Sequence, residues 1–296
     1  MSPPRTVQVT RSDGSRAAVV LSVADTPAAP VLVLVPAMGM RAAYYAPFAA
    51  ALPTAGFHVA VTELRGHEAA GGRRPGRRYD FGYADLAADL AAALAAVRAE
   101  LPSAPVVLVG HSMGGHVACA HLAEHPDAAV ALMLVASGTT FWRCWGSTGL
   151  GGPWQLVRTQ AALALALGLG HFPGHRVGFA GREARGVLRD WARLARTGRL
   201  ATGRPPRAHT TGLHALELPV LAMTIEGDDL GPVRSVRGLL RLLPRTHAET
   251  VHVRPAAGDP PLDHFRWARR PEVAVPALRS WLTRYVDSEQ IPSDRA

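Results

Sequence analysis

The chain has 296 residues, 48% hydrophobic and 19% charged, a balance that permits a large buried core and excludes a disordered or collagen-like chain. The net charge of +9 rests on arginine alone, with no lysine and no asparagine in the sequence. Nucleic-acid surfaces generally use lysine as well, so the charge reads as GC-rich coding rather than a polyanion site, and no nucleic-acid partner is expected.

Val7 to Val23 predicts two strands around a turn at Asp13-Gly14, a pair suited to a hairpin. Val31 to Val35 is an apolar run of the kind buried on both faces, followed by the loop Pro36 to Met40 and a helix carrying Tyr44, Tyr45, Phe48 and Leu52. Phe57 to Thr62 predicts the next strand. Asp85 to Glu100 predicts a helix whose leucines at 86, 90 and 94 form one buried stripe. A strand over 106–109, a helix over 115–124 and a buried strand over 130–136 follow. Strand and helix alternate at crossover length, which predicts an α/β fold with a mostly parallel sheet flanked by helices.

The alternation stops from about Gly138 to Leu216, where no convincing strand is found, and resumes with strands over 220–225 and 249–253 and helices over 233–243 and 271–286. This divides the chain into a first half of the core (1–138), an inserted helical cap (139–215) and a second half of the core (216–296). Two cysteines do not make a disulfide framework; Cys119 reads as a small apolar packing residue. Residues 1–15 lack the apolar centre of a signal peptide, and the longest apolar stretch, Ala161 to Leu169, is short of a membrane span. A soluble cytoplasmic protein with no membrane partner, and with a homodimer as a possible assembly, is the expectation.

Gly110-His111-Ser112-Met113-Gly114 lies between the strand over 106–109 and a helix. A serine at the tip of a strand-to-helix turn is lifted clear of the sheet, and glycines at 110 and 114 let the two backbones pass closely. The amide of Met113, at the start of the helix, lies beside any carbonyl that Ser112 attacks. A serine hydroxyl needs a base, commonly a histidine oriented by a carboxylate. The loop Glu226 to Pro232 ends a strand, where sites in parallel sheets lie, and offers Asp228 as the acid with Asp229 as its rival. Of 13 histidines, His264 follows the last strand on a loop and is the candidate base; His111 and His116 are expected to be structural. The second oxyanion donor is expected from the backbone N–H of Met38, with Ala37 as the alternative.

These pieces together resemble the α/β-hydrolase superfamily from Val31 to Leu282, and more narrowly a poorly characterised group of bacterial predicted hydrolases. The narrower likeness lies in Pro36-Ala37-Met38-Gly39, Tyr44-Tyr45, Gly110 to Gly115, Ser137-Gly138, Trp142-Arg143, Asp190-Trp191-Ala192-Arg193 and His264-Phe265. Glu63-Leu64-Arg65-Gly66-His67-Glu68 departs from it, since relatives commonly begin this stretch with aspartate. The resemblance implies a serine hydrolase with a Ser-His-Asp triad, using neither a metal nor an organic cofactor. Ser112 stands where dehalogenases and epoxide hydrolases of this fold carry a carboxylate, so acyl transfer is the fitting chemistry.

The expected reaction is cleavage of a small carboxylic ester or thioester. The alternatives are an acyltransferase or thioesterase serving a biosynthetic pathway, and a non-catalytic binding member of the fold. Trp142, Trp154 and Trp191 are candidates for contact with the small-molecule acyl substrate. The apolar stretch Leu156 to Leu169 either lines a pocket or forms the core of the cap itself. Arginines at 182, 185, 189, 193 and 196 share one helical face, read as a wetted surface or, alternatively, a dock for an anionic group.

Overall fold

The computed structural model describes residues 3–69, 72–146 and 150–286. Residues 1–2 of the expected leaderless start, 147–149 of the expected insertion and the tail 287–296 lie outside them. The fold is that of an α/β hydrolase: an eight-stranded, mostly parallel sheet flanked by helices.

An N-terminal hairpin, β1 (Arg5–Thr10) and β2 (Arg16–Ser22), turns at Asp13-Gly14 as its sequence predicts, with Gly14 at φ 76°. The parallel strands follow: β3 (Val31–Val35), β4 (His58–Thr62), β5 (Val106–His111) and β6 (Ala131–Val135). All residues of these four strands are buried. The alternation of side chains along a strand splits them into two cores. Val31, Val33, Leu108, Leu132 and Leu134 pack beneath α2 (Tyr83–Glu100) and α3 (Met113–Glu124), meeting the Leu86, Leu90 and Leu94 stripe. Leu32, Leu34, Val107, Val109 and Met133 face the other way, onto Phe48 of α1 (Ala46–Ala51) and onto Trp267, Trp281 and Leu282.

Between β6 and the next core strand the chain forms α4 (Gly151–Leu169), α5 (Arg185–Thr197) and α6 (Thr210–Ala215). The sequence pattern suggests no strand here, yet two short ladders form: Phe172–Pro173 with Arg182–Glu183, and Ala201–Thr202 with Arg207–Ala208. Two residues per strand are too few to show alternation, so no pattern signals them. The core resumes with β7 (Pro219–Ile225), α7 (Val233–Leu240), β8 (His247–Val253) and α8 (Val275–Val286).

The strands lie in the order β1-β2-β4-β3-β5-β6-β7-β8. Strand order reverses at β3, which has β4 on one side and β5 on the other. The loops leaving the carboxyl ends of β3 and β5 therefore part around a crevice, the usual place for a site in such a sheet. No helix among the described residues is long and apolar enough to cross a membrane.

Candidate active site

Ser112 sits in that crevice, between β5 and α3, at φ 53° and ψ −119°. A positive φ is costly for a serine, of order 1–3 kcal/mol, and persists only where the surroundings enforce it. The surroundings here are backbone. A methyl group at Gly114 would collide with the carbonyl oxygen of Val35, and one at Gly110 with the backbone of Gly115, so neither position admits a side chain. Ser112 N–H donates to the Val135 carbonyl at 2.9 Å, and Ser137 Oγ donates to the Ser112 carbonyl at 2.7 Å. The turn is thus tied to β6 on both sides of its serine.

Asp228 and Asp229 separate clearly. Asp228 is buried, and both of its carboxylate oxygens lie 2.9 Å from His264 Nδ1. Its Oδ1 also accepts from the Leu230 and Gly231 amides at 2.8 Å each, so the loop after β7 fixes the carboxylate before the imidazole meets it. Asp229 is exposed. His264 is buried on the loop after β8, as its sequence position suggests. It lines the same cavity as Ser112, without a hydrogen bond between the two side chains. Such contacts often tighten only when substrate is bound.

Met38 and Met113 border this cavity, and neither backbone N–H has a partner within the described residues. Ala37, the other candidate donor, is engaged: its N–H donates to Tyr45 Oη at 2.9 Å. That bond begins a buried relay. Tyr45 Oη lies 2.8 Å from His111 Nδ1, and His111 Nε2 lies 2.9 Å from the His264 carbonyl. With the proton assigned to Nε2, Tyr45 donates to Nδ1 and His111 donates to the carbonyl. Burial, and then the nearby His264, hold His111 well below the usual histidine pKa, so the ring is neutral. Three loops are joined in this way: the one after β3, the elbow and the one bearing His264. The sequence marks His111 as structural and Tyr45 as part of the family likeness, but gives no hint that the two, 66 residues apart, meet. His116 is also buried: its Nε2–H donates to the Gly138 carbonyl at 2.8 Å, its Nδ1 accepts from Tyr83 Oη at 3.2 Å, and burial lowers its pKa to about 4. It reaches the cavity wall as well as the core.

The cavity has a free volume of about 40 Å³, space for a few waters. From the segment between β6 and β7 its lining includes Thr140, Trp145, Arg158, Phe179, Ala180 and Trp191. Of the three tryptophans singled out in the sequence, Trp191 lines it and Trp142 and Trp154 do not. Trp142 instead stacks with Arg143, and Trp154 is 66% exposed on the outer face of α4. The tryptophan that faces Ser112 alongside Trp191 is Trp145, whose indole N–H donates to the Thr139 carbonyl at 2.9 Å. A short helical turn over 142–144 rotates Trp145 inward, and spacing alone does not reveal that phase.

The arginine face is largely spent on the protein's own acids and carbonyls. Arg193 pairs with Asp190 at 2.7 Å, Arg185 with Asp80 at 3.4 Å, Arg182 donates to the Pro75 carbonyl at 2.7 Å, and Arg196 donates to Gln160 at 3.2 Å. Arg182 precedes α5 rather than belonging to it. Among the described residues no group of three or more His, Cys, Asp or Glu side chains could hold a metal ion.

The sequence profile of the family described as "Serine aminopeptidase, S33" matches residues 26–171, the part containing β3 to α4. The whole chain superposes on solved hydrolases. The chain has the α/β-hydrolase fold, and residues 26–171 carry the sequence likeness to such enzymes. Among its structural relatives is an esterase from Exiguobacterium antarcticum, 15% identical, with a TM-score of 0.62 over 94% of this chain and 100% of that one. A carboxyl esterase from Bacillus coagulans is 14% identical, with a TM-score of 0.65 over 97% and 100%. DcsB, solved with a substrate analogue, is 17% identical, with a TM-score of 0.67 over 96% and 100%. Identities this low carry the hydrolase fold and not an activity. No curated protein matches this hydrolase-fold chain in sequence.

Proposed function

We propose that this α/β hydrolase cleaves a small carboxylic ester or thioester through an acyl-enzyme intermediate on Ser112. The observation that carries the reading is the buried Asp228–His264 pair, which shares a cavity with a strained serine and two unpartnered amides. In this scheme Ser112 Oγ attacks the substrate carbonyl carbon and its proton passes to His264 Nε2. Asp228 holds the other ring nitrogen protonated and stabilises the imidazolium that forms. The carbonyl oxygen becomes an oxyanion that accepts from Met38 N–H and Met113 N–H. The C–O or C–S bond then breaks, and the leaving alcohol or thiol takes the proton from His264. Water, deprotonated by the same imidazole, releases the acid and restores Ser112.

The segment between β6 and β7 acts as a cap in this reading. Trp145, Arg158, Phe179 and Trp191 supply the wall opposite Ser112 and select the substrate, while the sheet loops supply the chemistry. A panel of p-nitrophenyl esters and acyl thioesters of increasing chain length tests the reaction class. Ser112→Ala is expected to lower kcat by about 10⁴–10⁶ with the fold intact. Turnover within tenfold of the parent protein would overturn the mechanism.

A further inference from the structure

One permanent charge faces the cavity, and the protein does not neutralise it. Arg158 reaches in from α4 with its guanidinium carbon 5.0 Å from the Trp145 ring centroid. Its Nε donates to Gln155 Oε1 at 2.5 Å. Its two terminal nitrogens have no partner among the described residues. Among the described residues no aspartate or glutamate lines the cavity, and the sequence contains none from Ala128 to Arg182. The nearest functional carboxylate, Asp228, is occupied by His264 and two amides.

Arg158 is half-buried, and the buried Arg11 and Arg65 and the half-buried Arg193 are treated differently. Arg11 pairs with Glu68 and Asp89, Arg65 with Asp13 and Asp89, and Arg193 with Asp190. Withdrawing a cation from water costs several kcal/mol unless an anion meets it. Burial accordingly pulls the Arg158 guanidinium below its usual pKa, with no acidic neighbour acting in the other direction. The cation–π contact and the single amide bond fix the position of the fork without neutralising it. They leave its two terminal nitrogens unpaired in a side chain that lines the cavity holding Ser112.

We infer that Arg158 binds a carboxylate of the substrate, remote from the bond that is cleaved. This deepens the reading of Ser112 as an esterase nucleophile and rests on it. The planar fork matches a carboxylate with two parallel hydrogen bonds. A phosphate dianion calls for more than one cation, and Arg158 is the single arginine among the described residues that line the cavity. The preferred substrates are therefore compact esters or thioesters bearing one free carboxylate, either on the acyl side, as in half-esters of dicarboxylic acids, or on the alcohol side, as in acylated hydroxy acids.

Two measurements test this. The first compares kcat/KM for the p-nitrophenyl half-ester of glutaric acid with that for the neutral p-nitrophenyl valerate, and for acetoxybutyrate with its methyl ester. At least one pair is expected to favour the anion tenfold or more, through KM. Arg158→Leu should bring that ratio to one or below, and Arg158→Lys should retain part of it. A ratio near one for both pairs in the parent protein, or a preference surviving in Arg158→Leu, would overturn the proposal. The loss of anionic and neutral substrates in equal proportion would do the same, because it marks Arg158 as a wall residue.

The second is calorimetric binding of glutarate to the Ser112→Ala protein with and without Arg158→Leu. It requires no turnover, and at least tenfold weaker binding is expected once the arginine is gone. Binding that depends on Arg158 in a protein that hydrolyses no ester would sink the esterase reading and leave the anion site standing. Neutral-ester turnover with no glutarate binding would do the reverse. Should Arg158→Leu fail to fold, Arg158→Lys carries both tests.

Discussion

The sheet core and α4, in the segment between β6 and β7, are built differently. In the core, β3 to β6 bury every residue and polar atoms are confined to the strand ends, where the candidate site lies. In the segment between β6 and β7, α4 buries Gln155 and Thr159 while exposing Trp154 (66%) and Val157 (57%), and Leu150 just before it is 82% exposed. Hydrophobic patterning thus positions the core and α5, whose Val187, Leu188 and Leu194 join the sheet's buried cluster, while polar attachments add to the hold on the rest of the segment. Asp190 accepts from the Tyr83 amide at 2.9 Å and pairs with Arg193; Asp80 accepts from the Gly186 amide at 2.9 Å; and Glu183 meets His67 at 2.9 Å. α4 supplies part of the wall and, except for Ala166, lies outside the sheet's buried cluster, so that lining can change with little disturbance of the sheet that carries Ser112.

The largest effect is expected in the core. Asp228→Asn should lower the rate by about 10⁴, by analogy with triad aspartates, because the amide favours the wrong imidazole tautomer. Asp229→Asn, at an exposed position, should leave the rate within threefold, and steady-state kinetics on one activated ester would rank the two. The reverse ranking would detach His264 from its partner.

An intermediate effect is expected where the insertion meets the core. Burial opposes the charged form of His67, but the hydrogen bond and charge of Glu183 outweigh it and raise the pKa above 6.5. The stabilisation from this pair is therefore complete below about pH 6.5 and is lost as the pH rises through the raised value. Between pH 6 and pH 9 the contact should lose roughly 1–2 kcal/mol, of the order of a charged hydrogen bond. Thermal unfolding of the parent protein should show this decline, and His67→Gln should not. An identical pH profile for both proteins would remove the pair from the attachment.

The smallest effect is expected on the outer face of α4. Trp154→Ser should change stability by no more than about 0.5 kcal/mol in urea unfolding, the range for an exposed site. A loss of several kcal/mol would mean that this face is covered in solution and that the contrast between core and α4 is overdrawn.

Much of the core was legible from residues alone. All-apolar strands, a leucine stripe and a Gly-x-Ser-x-Gly turn each leave a local pattern, and loop order singled out Asp228 and His264. What escaped was long-range or depended on helix phase. The role of Tyr45 becomes visible only when its hydroxyl is seen between Ala37 and His111. Trp145 rather than Trp142 or Trp154 lines the cavity because of one helical turn. Arg158 sits in an apolar stretch expected to line a pocket or fill a core, and much of that stretch points outward. Periodicity reports which face is apolar, and on α4 that face is not the buried one.

The central claim is that Ser112 is an acylating nucleophile activated by His264. Intact-protein mass spectrometry after mixing with a p-nitrophenyl ester, quenched in acid within the first turnovers, tests it most directly. The account predicts one added acyl group, located on Ser112 by peptide mapping, absent from Ser112→Ala and strongly slowed in His264→Ala. Ester cleavage by the parent protein with no acyl adduct under conditions where deacylation is slowed, or an adduct on another residue, would contradict it.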